Sequence, residues 1–322
     1  MSLPAENSGL WQPLFVLLGG LVMLVSGGEL MVGGAIRLAV RQGMSSLLIG
    51  LTIVAFGTSM PELFISLGAS LRNHADIMIG NVIGSNIANI GLILGLSTIL
   101  APLAIQFARV RTELYLIIFA GLLLAVVTAY GYFSWWFGLL FVATLIIYTA
   151  ASYQAARRRR KESPEKRKMD SDSLLNSFPL IAGMVVLGLG LMAFGSDFFI
   201  DGAVALARYF HVSELMIGLT LAAVGTSLPE MASSLSAIRR REGDLLLGNV
   251  LGSNLFNLLM VMGGTALVAP FAFDPITLRR DVPVMLGFTL VLVPFLRSRH
   301  GLTRWHGAVL MGGYIIYLLS LA

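Results

Sequence analysis

Residues 50–102 are written a second time at 218–270. The two stretches align without a gap at a constant offset of 168, with 24 identities in 53 positions. GLTIVAFGTSMPELFISLGAS faces GLTLAAVGTSLPEMASSLSAI, and DIMIGNVIGSNIANIGLILG faces DLLLGNVLGSNLFNLLMVMG. The register also carries outward: Glu29 faces Asp197, Gly34 faces Gly202 and Arg111 faces Arg279. A chain built this way folds as two copies of one unit. The first apolar run has a counterpart in the second copy, and no basic run precedes it. It is therefore expected to belong to the fold and not to be a cleaved leader.

Each copy is a set of membrane spans. Only 12% of residues are charged and the mean hydropathy is +0.84, whereas soluble domains carry about 25% charged residues. Apolar runs long enough to cross about 30 Å of hydrocarbon fall at 12–34, 46–70, 78–100, 113–131, 134–153, 178–200, 214–238, 245–268, 282–296 and 303–321. The alternation expected of a membrane β-barrel is absent. The expected fold is an all-α integral membrane protein of about ten transmembrane helices. Five spans per copy is an odd number, so the second copy enters the membrane upside down, a recurring plan of transporters. The expected units are residues 1–156, a basic linker at 157–177, and residues 178–322. The chain has no cysteine, which excludes disulfides, thiolate metal sites and a cysteine nucleophile.

The charges orient the chain. Residues 157–168 read RRRRKESPEKRK. Eight basic residues in one short loop place it in the cytoplasm by the positive-inside rule, with both termini outside. Alternating outward, Arg37, Arg41, Arg109, Arg111, Arg239–Arg241, Arg297, Arg299 and Arg304 join the inner set, which totals 18 of the 22 Lys and Arg. The net charge of +5 is thus topogenic and does not point to nucleic acid. The basic loop is a solvated linker or an anionic-lipid contact.

The polar residues concentrate where the copies agree best. GTSMPE (57–62) and GTSLPE (225–230) interrupt the second and seventh spans. Pro61 and Pro229 lack an N–H and push on the carbonyl four residues back, so those of Gly57 and Gly225 must face protein, water or a ligand. The second and seventh helices are therefore expected to be discontinuous, and the loosened backbone at Ala55 and Ala223 can offer further oxygens. Thr58, Ser59 and Glu62 add two hydroxyls and a carboxylate, as do Thr226, Ser227 and Glu230. Of 17 acidic residues, Glu62 and Glu230 alone lie well inside spans, where a carboxylate is costly and marks function. The third span of each copy adds Asn81, Ser85 and Asn89, and Asn249, Ser253 and Asn257, four apart and on one helix face. Such oxygens suit hard cations. Interhelical hydrogen bonding is the alternative for the Ser and Asn residues, and a protonated structural acid for the glutamates. Glu29 and Asp197 read as interfacial or helix-end groups and not as core ligands.

These residues resemble those of the cation/calcium antiporter superfamily, and specifically its prokaryotic sodium/calcium exchangers. That family carries G-T-S-x-P-E followed by G-N-x-x-G-S-N in both repeats. Both motifs stand here twice, at Gly57–Glu62 with Gly80–Asn86 and at Gly225–Glu230 with Gly248–Asn254. The resemblance implies a sodium-driven calcium extruder. Glu62 and Glu230 would hold Ca²⁺ with the backbone at Thr58 and Thr226. Na⁺ would use the same acids, the hydroxyls of Ser59, Ser85, Thr226 and Ser253, and the carbonyls of Ala55 and Ala223. Asn89 and Asn257 would complete the central position. Some members have aspartate where Asn257 stands. Asparagine in both copies leaves a site charge of −2 and argues against potassium co-transport. The short linker leaves no room for a calcium-sensing domain.

The alternatives are a proton/calcium antiporter, a cation channel and an intramembrane hydrolase. The hydrolase needs a base or a metal in the membrane, yet His74, His211, His300 and His306 fall in loops or at span ends, and no HExxH motif exists. Neither an enzyme nor a cofactor is expected. The expected partners are Ca²⁺, Na⁺ and lipid, with no obligate protein partner.

Overall fold

The computed structural model describes residues 10–162, 177–211, 225–273 and 277–321. The first copy comprises α1 (Trp11–Gln42), α2 (Ser46–Thr58), α3 (Met60–Leu71), α4 (Ala75–Leu100), α5 (Arg111–Ala129) and α6 (Trp135–Glu162). The second comprises α7 (Phe178–Tyr209), α8 (Leu228–Arg239), α9 (Gly243–Val268), α10 (Val282–Arg297) and α11 (Arg304–Leu321). Six of these helices are long and apolar enough to cross a bilayer, and α2 with α3 forms a seventh span bent by 41°. The remaining expected spans correspond to α8, to α10 with the π turn Thr277–Asp281 before it, and to α11. The upstream part of the seventh span and most of the basic linker lie outside the described residues.

Three helices overrun their expected ends, α6 among them, which runs to Glu162. α1 continues to Gln42, where the left-handed Gly43 (φ 60°) caps it by donating to Ala39 and Val40. α7 continues to Tyr209. Hydropathy marks where a helix leaves lipid, whereas the helix itself ends only at a residue that breaks it. Glu29 and Asp197 are accordingly interior to α1 and α7, not helix-end groups as their place in the apolar runs suggested.

α1 and α7 cross along a seam of glycines seven residues apart. Gly20, Gly27 and Gly34 lie on one side, and Gly188, Gly195 and Gly202 on the other. A Cβ added to Gly27 would lie 2.8 Å from the Gly188 carbonyl oxygen, and one on Gly195 would lie 3.0 Å from that of Gly20. Backbone meets backbone here, as small residues allow in membranes. The pairing descends α7 as it ascends α1, so the helices are antiparallel. A second crossing joins α2 to α9: a Cβ on Gly50 would lie 2.5 Å from the Leu245 oxygen, and one on Gly252 would lie 2.6 Å from the Ala55 Cβ. Here both chains ascend together. Antiparallel first and sixth spans with parallel second and eighth spans are what a continuously alternating, inverted repeat requires.

α9 and α4 occupy the centre: 94% and 72% of their apolar windows are buried, against 22% in α6. Two short extended pairings tie the shell together. β1 (Tyr132–Phe133) pairs antiparallel with β2 (Phe271–Ala272), and Leu103 bridges Leu302. Adding 168 to 103 gives 271, and subtracting it from 302 gives 134, so each pairing is the image of the other to within one residue under exchange of the copies. Phe133, Phe137, Phe141, Phe271 and Phe273 pack their rings around the β1–β2 pairing.

Candidate cation-binding site

The break in the second span falls inside GTSMPE. Ser59 leaves helical geometry (φ −84°, ψ 3°), and α3 begins at Met60 with Pro61 in its first turn, where a missing N–H costs no helical hydrogen bond. Ser227 does the same before α8 (φ −90°, ψ 6°). Each hexamer thus starts a new half-helix with a glutamate in its first turn, where the partial positive charge of the helix N-terminus favours an acid.

Glu62 and Glu230 are 0% and 1% exposed. None of their four carboxyl oxygens has a hydrogen-bond partner, and the two groups lie near enough to act on each other electrostatically. Ser59 Oγ, Ser227 Oγ, Asn89 Oδ1 and both polar atoms of Asn257 are likewise buried and unpartnered. Buried polar groups are normally bonded, so this concentration at one place needs an occupant.

The remaining polar contacts stitch the copies together reciprocally. Thr58 Oγ1 lies 3.4 Å from Ser253 Oγ, and Thr226 Oγ1 lies 3.4 Å from Ser85 Oγ. Each is the other shifted by 168. Asn81 donates to Ser66 Oγ (2.9 Å) and to the Glu62 carbonyl (3.3 Å). Asn249 donates to Ser233 Oγ (2.8 Å) and Ser234 Oγ (3.4 Å), and accepts from Thr58 Oγ1 (3.4 Å). The amide N–H groups of Asn81 and Asn249 thus pin α3 and α8 to the central helices. The Ala55 oxygen accepts from the Ser59 N–H (3.0 Å) and from Thr58 Oγ1 (3.4 Å), so one backbone and one side-chain donor already share it. Ala223 lies outside the described residues.

Both central helices widen into π turns at the asparagines, over Asn89–Leu94 and Phe256–Met262. A third π turn, Gly50–Val54, precedes Ala55. Such bulges are frequent at functional sites. The copies also differ at the central asparagines: Asn89 Nδ2 donates to Asn254 Oδ1 (3.0 Å), whereas Asn257 makes no such bond to Asn86, which donates to the Val82 carbonyl instead. Among the described residues no three His, Cys, Asp or Glu side chains converge. The site's charge therefore rests on two carboxyl groups surrounded by neutral oxygens.

The sequence profile of the family described as "Sodium/calcium exchanger protein" matches residues 12–154 and 180–322. The chain belongs to the sodium/calcium exchanger family. The exchanger is 34% identical to "Inner membrane protein YrbG" of Escherichia coli over 95% of both chains. It is 33% identical to "Sodium/calcium exchanger MaX1" of Methanosarcina acetivorans over 95% of this chain and 97% of that one. A solved structure of the sodium-calcium exchanger NCX_Mj superposes with a TM-score of 0.83 at 30% identity, covering 98% of this chain and all of that one. The exchanger is thus a member of the cation/calcium antiporter superfamily, an all-α multi-pass membrane protein of inverted repeats. It is an antiporter of cations and calcium, not an enzyme.

Sequence reasoning overlooked several residues around the exchanger's site. Ser66 and Ser234 stand in both copies at the same register, and Asn86 and Asn254 complete the GSN triplets, so duplication alone could have singled them out. Ser196 had no such signal, since its counterpart is Gly28. Its hydroxyl donates to the Gly225 carbonyl at 2.9 Å, the very oxygen that Pro229 deprives of a helical partner. Ser196→Ala is expected to destabilise the folded protein by about 1–3 kcal/mol, the cost of an unsatisfied buried group. Thermal unfolding in detergent measures it, and an unchanged midpoint would show that another donor reaches Gly225.

Proposed function

We propose that the protein extrudes Ca²⁺ in exchange for Na⁺ by alternating access. The observation that carries this reading is the set of buried, unpartnered oxygens contributed equally by both copies, at Glu62, Glu230, Ser59, Ser227, Asn89 and Asn257. Glu62 and Glu230 hold Ca²⁺ together with the backbone at Thr58 and Thr226. Na⁺ takes the same carboxylates with the hydroxyls of Ser59, Ser85, Thr226 and Ser253 and the carbonyls of Ala55 and Ala223. Ser227 is the counterpart of Ser59. Asn89 and Asn257 complete the central position, while Asn81 and Asn249 orient α3 and α8.

Two carboxylates balance one Ca²⁺, so Na⁺ ions compete for the same charges and occupancy is mutually exclusive. An empty site leaves two uncompensated charges inside the membrane, which resists the transition and couples the two fluxes. Sodium coupling is favoured by the GNxxGSN motifs and by the names of MaX1 and NCX_Mj. The moving elements are α1 and α7, held to each other by their glycine seam and sliding as a pair against the central helices. The repeats occupy residues 1–156 and 178–322, the basic linker 157–177 lies in the cytoplasm, and both termini lie outside. The 18-to-4 distribution of basic residues and the name of the inner-membrane relative support placement in a prokaryotic plasma membrane.

Calcium flux into proteoliposomes under sodium, proton and potassium gradients imposed in turn tests this reading. Flux is expected with the sodium gradient alone. Flux driven by a pH gradient without sodium would make it a proton/calcium antiporter, and flux independent of any counter-ion would make it a channel.

A further inference from the structure

Glu29 lies in the middle of the first moving helix, outside the set of candidate-site residues, and its carboxylate is not free. Arg240, just past the end of α8, grips it through Nε (3.1 Å) and Nη2 (2.8 Å) on Oε2, and Nη2 also reaches the Glu29 carbonyl at 3.1 Å. Arg239 adds a contact to Oε1 at 3.3 Å. Gly33, one turn along α1, leaves room for the guanidinium, since a Cβ there would lie 3.4 Å from Arg240 Nη2. Charge-assisted, two-pronged contacts of this kind are the strong members of their class.

The inverted repeat supplies a second set of the same parts at the other end of the molecule. Shifting by 168 turns Glu29 into Asp197 and Arg240 into Arg72. Both are exposed, and among the described residues neither takes part in an ion pair. One copy of the contact is closed and its image is open.

We propose that the Glu29–Arg240 and Asp197–Arg72 pairs are two latches of one conformational device. Each ties a moving helix to the half-helix that follows a candidate-site glutamate, and each closes when the other opens. In the orientation proposed above, the closed latch lies on the cytoplasmic side and the open one on the outer side, so the structure is sealed inward. The two latches are unequal. Arg239 has Leu71 as its counterpart, and Gly33 has the acidic Asp201. The inner latch sets two arginines on one carboxylate and the outer latch sets one arginine beside two, so the two are built differently from the same duplicated parts. This inference rests on the alternating-access reading.

The absence of cysteine makes the test direct. Ser236 is 4% exposed and sits one turn before Arg240, to which its carbonyl is bonded. Ser236→Cys in the full chain, reconstituted in nanodiscs, is expected to react slowly with a charged thiol reagent. Adding Glu29→Gln should speed the reaction at least about fivefold, the lower range for a coupling between two states. The charge swap Glu29→Arg with Arg240→Glu should return it to the slow rate. Asp197→Asn, which weakens the opposite latch, should not speed it. A rate unmoved by Glu29→Gln overturns the proposal, as does a rise that the swap leaves in place or one that Asp197→Asn reproduces. The readout needs no ion flux. Labelling that behaves as expected without sodium-driven transport would overturn the functional reading alone, and intact transport with unresponsive labelling would overturn the latch alone.

Discussion

Replacing Glu230 by Gln is expected to reduce sodium-driven calcium flux in proteoliposomes by at least about 100-fold, to the level of empty vesicles. Gln keeps the shape of the side chain and removes one of the site's two charges. The ion then faces a single carboxylate in a place closed to water, and breaking a buried charge pairing costs about 3–5 kcal/mol, which corresponds to two or more orders of magnitude in binding. Glu62→Gln should match it, because the two acids have equivalent surroundings: both are buried, both begin a half-helix, and both lack partners. Unchanged elution on size-exclusion chromatography would show that the fold survives. Substantial residual flux in either variant would remove these acids from the ligand set.

The second large effect is expected from Gly188→Leu. A Cβ at Gly188 would lie 2.6 Å from the Met31 nitrogen and 2.8 Å from the Gly27 oxygen. Both are backbone atoms of α1, so no side chain can turn aside to make room. The two helices must separate, at a cost of about 1–3 kcal/mol or more for an overpacked contact, and their movement as one body is lost along with the stability. Gly190→Leu is the matched control: it lies on the same helix, and a Cβ there meets nothing within 4 Å. The thermal midpoint and the calcium flux should both fall for Gly188→Leu and hold for Gly190→Leu. Equal behaviour of the two variants would show that the seam is not a close-packed track.

Much of this architecture is legible in the sequence, because duplication repeats each signal in a second context. A lone GTSMPE is ambiguous, but its copy in register identifies the break, the acid and the hydroxyls together. The helical break at Ser59 follows from proline chemistry, and the central position of α4 and α9 follows from their polar faces. What escaped depends on how distant elements meet. Glu29 lay within an apolar run whose helix extends two turns beyond it, and only the docking of α8 reveals its arginine. Ser196 reaches Gly225 across a helix interface that no local pattern encodes. The π turns at Asn89 and Phe256 look like ordinary apolar helix, since an extra residue in a turn leaves no mark in composition. The one-sided Asn89–Asn254 bond has no trace in the sequence at all, because the sequence there is symmetric and the structure is not.

The glycine seam of α1 and α7 has a mechanical consequence. Exchanging the two copies carries each helix onto the other, so the pair has a pseudo-two-fold axis lying in the plane of the membrane. Under the proposed mechanism, any displacement of the pair as one body against the central helices that widens the passage at one end narrows it at the other. Access from the two compartments is then a single coordinate with opposite signs, and no timing between separate gates is needed to prevent a continuous pore.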